Sequence, residues 1–75
     1  VTPATEIQVF AMHDDRIAER GEEIHYYDIL VRGDPDEGGI IPEIEEHDDL
    51  TETEMLALVP VLEAKYALMA EQVGG

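Results

Sequence analysis

Three histidines and a surplus of carboxylates are the side chains of this 75-residue sequence that could do chemistry. His13-Asp14-Asp15 and His47-Asp48-Asp49 repeat one tripeptide, and His25 stands apart from both. Imidazole nitrogens and carboxylate oxygens form a transition-metal site when folding converges three or four of them. Taken singly, His13 and His47 read as solvated loop residues and His25 as a residue on a sheet surface. Paired carboxylates abound, but general acid–base catalysis needs a partly desolvated pocket that separates two pKa values. A chain this short has little apolar volume with which to build one. Serine and cysteine are both absent, which removes the common nucleophiles, a disulfide framework and any thiolate zinc site. No glycine-rich loop precedes a helix, and Gly38-Gly39 follow acids that would repel a phosphate. The expectation is a protein that is not an enzyme and carries no cofactor.

One segment resembles a known metal-binding loop. Asp34-Pro35-Asp36-Glu37-Gly38-Gly39-Ile40-Ile41-Pro42-Glu43-Ile44-Glu45 is similar over twelve residues to the calcium loop of EF-hands. Asp34 and Asp36 fall at its first and third positions, Gly39 at the sharp turn and Glu45 at the bidentate position. Gly38 and Pro42 depart from the pattern, and a strand precedes the loop where an EF-hand has a helix. Asp34, Asp36 and Glu45 therefore stand as weak cation ligands, not a dedicated metal site. The terminal Gly74-Gly75 resembles the tail of ubiquitin-like modifiers, but those folds lead into it through a strand, and here a helix is expected.

The charge is the broader signal. Asp and Glu number 19 against 4 Lys and Arg, a formal net charge of -15. Ten of the acids lie in residues 34–54, which contain no Lys or Arg: Asp34, Asp36, Glu37, Glu43, Glu45, Glu46, Asp48, Asp49, Glu52 and Glu54. Such a stretch repels itself and attracts cations or basic protein surfaces. No basic patch is present to displace counterions from nucleic acid, and the same deficit disfavours anionic membranes. The hydrophobic fraction, 44%, is too high for a disordered acidic tail. No run approaches the roughly 20 apolar residues of a membrane span, and Val1-Thr2-Pro3-Ala4-Thr5-Glu6 has no basic, apolar signal pattern. A cytoplasmic location is expected on those grounds. Extreme acidity with one lysine also fits a halophilic source.

The elements that must position these side chains are read from periodicity. Ile7, Val9 and Ala11 alternate, and the run 23–32 is rich in β-branched and aromatic residues, so residues 6–32 predict a β-hairpin. Residues 33–50 predict an acidic loop with a short edge strand at 40–44, confined to an edge by Pro42. Thr51-Glu52-Thr53-Glu54 is a capping box, with Leu50 and Met55 placed as a hydrophobic staple. It opens a helix expected over 51–73, kinked at Pro60 and stopped by the terminal glycines. The expected fold is α+β, one domain over 1–75, a small antiparallel sheet packed on one long C-terminal helix.

These readings combine into a ranked expectation. The first is a non-enzymatic acidic interaction protein engaging a basic protein surface through Asp34, Asp36, Glu37, Glu43, Glu45, Glu46, Asp48 and Asp49. A nucleic-acid-mimicking inhibitor is one form of it, since the composition is similar to that of small acidic phage inhibitors of host nucleases. The alternatives are a subunit that assembles as a homodimer or oligomer through Met55, Val59, Leu62, Tyr66, Met69 and Val73, and a cation-binding acidic loop.

Overall fold

Strict alternation in two runs builds the centre of the molecule. In the computed structural model, which describes residues 4–75, they become β1 (Ala4–His13) and β3 (Tyr26–Gly33), joined through the two-residue β2 (Arg16–Ile17). The start of the chain read as lacking a signal includes Val1–Pro3, which lie outside the described residues. Strand β4 (Glu43–Leu50), helix α1 (Glu52–Tyr66) and β5 (Ala70–Val73) follow. The sheet order is β2–β1–β3–β4, antiparallel throughout, and β5 adds to β1 in parallel over Ile7–Phe10. Because β3 occupies one side of β1, β2 and β5 share the other.

One face of this sheet is the core. Ile7, Val9 and Ala11 of β1 lie beside Val31, Ile29 and Tyr27 of β3, and all six are buried. Met55 and Leu62, seven residues apart on α1, close over them, with Leu58, Val59 and Tyr66 at the margin. The helix is the crossover of a split β4–α1–β5 unit. Fifteen residues span about 22 Å, enough to pass over the two intervening strands at about 4.8 Å spacing. Its start follows the capping box: Thr51 Oγ1 accepts from the Glu54 amide at 3.1 Å, and Glu54 Oε1 accepts from the Thr51 amide at 3.0 Å. Pro60 lies inside the helix on its solvent side, where its missing amide leaves the Leu56 carbonyl without a helical donor.

The hairpin, the capping box and the α+β class agree with the sequence reading; two boundaries do not. The helix ends at Tyr66, not near residue 73, because Ala67 takes a left-handed conformation (φ 55, ψ 44) and its amide closes back on the Glu63 carbonyl. The chain then turns so that residues 70–73 pair with the uncovered side of β1. The third strand is 43–50 rather than 40–44. Pro42 precedes it, and its carbonyl accepts from Gly33 at 3.1 Å. Acids are poor strand formers, but Ile44 and Leu50 anchor this segment to the core and the free side of β3 supplies its hydrogen bonds. Charge on an edge strand also blocks sheet-to-sheet association.

Candidate interaction surface

With the only helix of the described residues on one side, the other face of the sheet is left open. It carries Gln8, Phe10 and Met12 from β1, and Tyr26, Asp28, Leu30 and Arg32 from β3, each the alternate of a core residue. Glu43, Glu46 and Asp48 come from β4, and Val73 of β5 lies beside Phe10. Phe10, Met12, Ile17 and Leu30 floor a groove of about 260 Å³, walled by Asp28, Glu46, Asp48 and Arg32. An apolar floor with charged walls gives a partner both burial and orientation.

The acids of this face crowd one another. Asp48 lies beside Glu46, and the proton the two carboxyls can share, then the charges of Asp48 and Glu43, holds the Glu46 carboxyl above its ordinary value. Asp28 is also raised, first by partial burial and then by Asp48 and Asp49, against the pull of the Asp49 amide at 3.1 Å. An incoming cation would relieve this repulsion.

The other residues singled out from the sequence are dispersed. Glu45, next to Glu46, faces the helix, where Lys65 donates at 2.8 Å, Tyr66 donates through its hydroxyl and His47 sits at 3.2 Å. Lys65 first, then Tyr66, hold its carboxyl down at about 2. Asp34, Asp36 and Glu37 lie in the exposed loop before β4, and Asp36 Oδ1 accepts from the Gly38 and Ile40 amides of that loop at 2.8 and 3.0 Å. Asp34, Asp36 and Glu45 thus do not converge as an EF-hand loop would require. Asp49 sits with φ 55 at a bulge between β3 and β4.

Of the helix residues, Met55 and Leu62 are consumed by the core and Val59 and Tyr66 are half-buried. Met69 and Val73 lie beyond the helix, Met69 almost fully exposed. His13 and His25 stack at the end of the hairpin, with Asp14 beside them. A strand does lead into Gly74-Gly75, against expectation, but the pair is packed down. The Gly75 amide donates to Ala18 at 2.9 Å, and a Cβ on Gly74 would meet the Ala18 carbonyl at 2.8 Å.

Asp28, Phe10 and Met12, all half-buried, and Leu30, 8% exposed, are residues of the open face that were not singled out from the sequence. Period-two alternation through Tyr27, Ile29 and Val31 puts Asp28 and Leu30 on the opposite face, and a single helix can cover only one. The fold and surface define a two-layer α+β domain with one sheet face covered and one open. No helix of the described residues is long and apolar enough to cross a membrane. No family model matches the chain, and no curated protein or solved structure matches it.

Proposed function

We propose that this is a non-enzymatic interaction module whose open sheet face holds a basic protein surface. The observation that carries the reading is the crowding of Glu46, Asp48 and Asp28, with Arg32 the one cation among them, around an apolar groove, and Glu43 adding its charge beside Glu46. The fitting partner presents lysines or arginines around one apolar side chain: the side chain enters between Phe10, Met12 and Leu30, and the cations sit over the acids. A nucleic-acid-binding groove, occupied in place of phosphates, is the partner class whose charge matches best. Its test is the affinity of a lysine-rich amphipathic peptide with one leucine anchor. Glu46→Lys and Asp48→Lys each weaken binding roughly fivefold to tenfold at low salt, mostly by slowing association, and Leu56→Ser leaves it unchanged. Affinity indifferent to both reversals and to salt contradicts the proposal.

A second reading rests on the outer side of the helix. At about 100° per residue, Leu56, Ala57, Pro60, Val61 and Ala64 form a continuous outward arc without a charge. Leu56 is 60% and Val61 59% exposed. Two copies meeting there keep their acidic sheet faces on the far sides. The molecule's smallest extent is 17 Å, so those faces stand apart by more than the roughly 8 Å screening length of physiological salt. Sedimentation then shows a dimer that Val61→Glu dissociates without unfolding; a monomer at all concentrations removes this reading. Leu62, expected at such an interface, is 2% exposed and belongs to the core instead.

A further inference from the structure

We infer that His13, Asp14 and His25 form a site for one divalent transition-metal ion, of which Zn²⁺ is the best-suited class. The site lies at the turn end of the hairpin and owes nothing to the acids of residues 34–54. Topology builds it: His13 ends β1, and His25, held by its amide to the Met12 carbonyl at 2.8 Å, leads into β3. The rings stack with centroids 4.3 Å apart and planes 27° from parallel, so ligation of one ion by both requires one exposed ring to turn until its in-plane lone pair meets the other's. One potential ligand atom from each residue lies within 4.8 Å of the others.

The hydrogen bonds define which atoms are free. His13 Nδ1 lies 2.8 Å from the Glu23 carbonyl. A carbonyl only accepts, so Nδ1 carries a proton, and in the neutral ring Nε2 then offers a lone pair. A backbone carbonyl on the remote nitrogen is also the usual second-shell partner that orients a metal-bound histidine. Nε2 faces carboxylate oxygens: Asp14 Oδ2 at 3.7 Å and Glu22 Oε2 at 3.8 Å. The other Asp14 oxygen, Oδ1, is 3.3 Å from His25 Nδ1.

The two spacings within the proposed ligand set are 3.7 Å from His13 Nε2 to Asp14 Oδ2, too long for a hydrogen bond, and 3.3 Å from His25 Nδ1 to Asp14 Oδ1. They are close to the roughly 3.4 Å between neighbouring ligands around a tetrahedral ion with bonds of about 2.0–2.1 Å. An acceptor nitrogen and acceptor oxygens at this spacing leave room for a cation between them. Asp14 is positioned by its left-handed φ of 56 and by the Tyr26 hydroxyl, which donates to its carbonyl at 2.6 Å. Ligation through His25 Nδ1 displaces the bond that this atom accepts from the Asp14 amide at 3.1 Å. Glu22 is clamped by Arg16 through two 2.6 Å bonds, which holds it as an outer neighbour and leaves the fourth position to water. Two imidazoles and one carboxylate suit Zn²⁺, whereas Ca²⁺ and Mg²⁺ require more oxygens.

The experiment is a Zn²⁺ titration of the whole chain with millimolar Mg²⁺ present to occupy diffuse acidic sites. It is followed by calorimetry and by the imidazole ring resonances. One equivalent binds, the ring signals of His13 and His25 move together, and those of His47 stay in place. His25→Gln weakens binding at least tenfold, and His47→Gln does not. Should a variant fail to fold, the wild-type ring signals decide alone. Displacement of all bound Zn²⁺ by Mg²⁺, equal movement of all three histidines, or unchanged affinity in a folded His25→Gln overturns the site.

Discussion

Glu45 and Glu46 are neighbours in sequence and opposites in surroundings. Glu45 turns under the sheet to Lys65 and Tyr66 and is held down at about 2; Glu46 turns outward to Asp48 and is raised. Linkage gives the two contrary pH effects. A raised carboxyl opposes folding while ionised, and that opposition is relieved as pH falls through its folded-state value. A depressed one supports folding above the ordinary carboxylate value of about 4.3, and its support is lost as pH falls toward 2. Thermal stability should therefore rise from neutral into mildly acidic solution and then fall below about pH 4. Melting curves across pH check this: Glu46→Gln flattens the mild-acid rise, and Glu45→Gln flattens the acid-side fall. At neutral pH Glu45→Gln destabilises by about 1 kcal/mol, the scale of a partly exposed charged hydrogen bond. A Tm that only declines from pH 7 downward would contradict this account of the open face.

At the scale of elements, local signals were legible and long-range ones were not. Thr51 and Glu54 are three residues apart, so the helix start could be read from four letters. The helix end could not. Gly74 is the residue type that stops helices, yet the stop is Ala67, a residue disfavoured in the left-handed region by about 1 kcal/mol. What decides the matter is the uncovered side of β1, whose pairing with residues 70–73 lies some sixty positions away in sequence. Strand β4 was obscured for the same reason: its acids read as loop, and only the free side of β3, with Ile44 and Leu50 on the core, makes them a strand. Ala67→Gly tests the strained stop directly. It should stabilise by about 0.5–1 kcal/mol, less whatever the unfolded chain gains in freedom. That corresponds to a few degrees in Tm for a domain of this size. An unchanged or lower Tm would show that the left-handed Ala67 carries no strain to remove.

At the scale of the whole molecule, the crossover helix, the one helix among the described residues, separates two kinds of surface. Its outer arc is apolar and uncharged, and the opposite sheet face is acidic around an apolar floor. The charge concentration visible at residues 34–54 does not give the membership of that face. The loop acids Asp34, Asp36 and Glu37 lie outside it, Glu45 is turned to the helix, and Asp28 enters it from β3. Faces are set by alternation and by which side the helix covers, neither of which a count of charges along the chain contains. The central claim, that the open face meets a basic partner, is tested most directly by mapping where a cationic amphipathic peptide perturbs backbone amide resonances. The account predicts shifts concentrated at Phe10, Met12, Asp28, Leu30, Glu46 and Asp48 that fade as salt is raised. Shifts confined to the helix or to the loop at 34–42, or a pattern insensitive to salt, would contradict it.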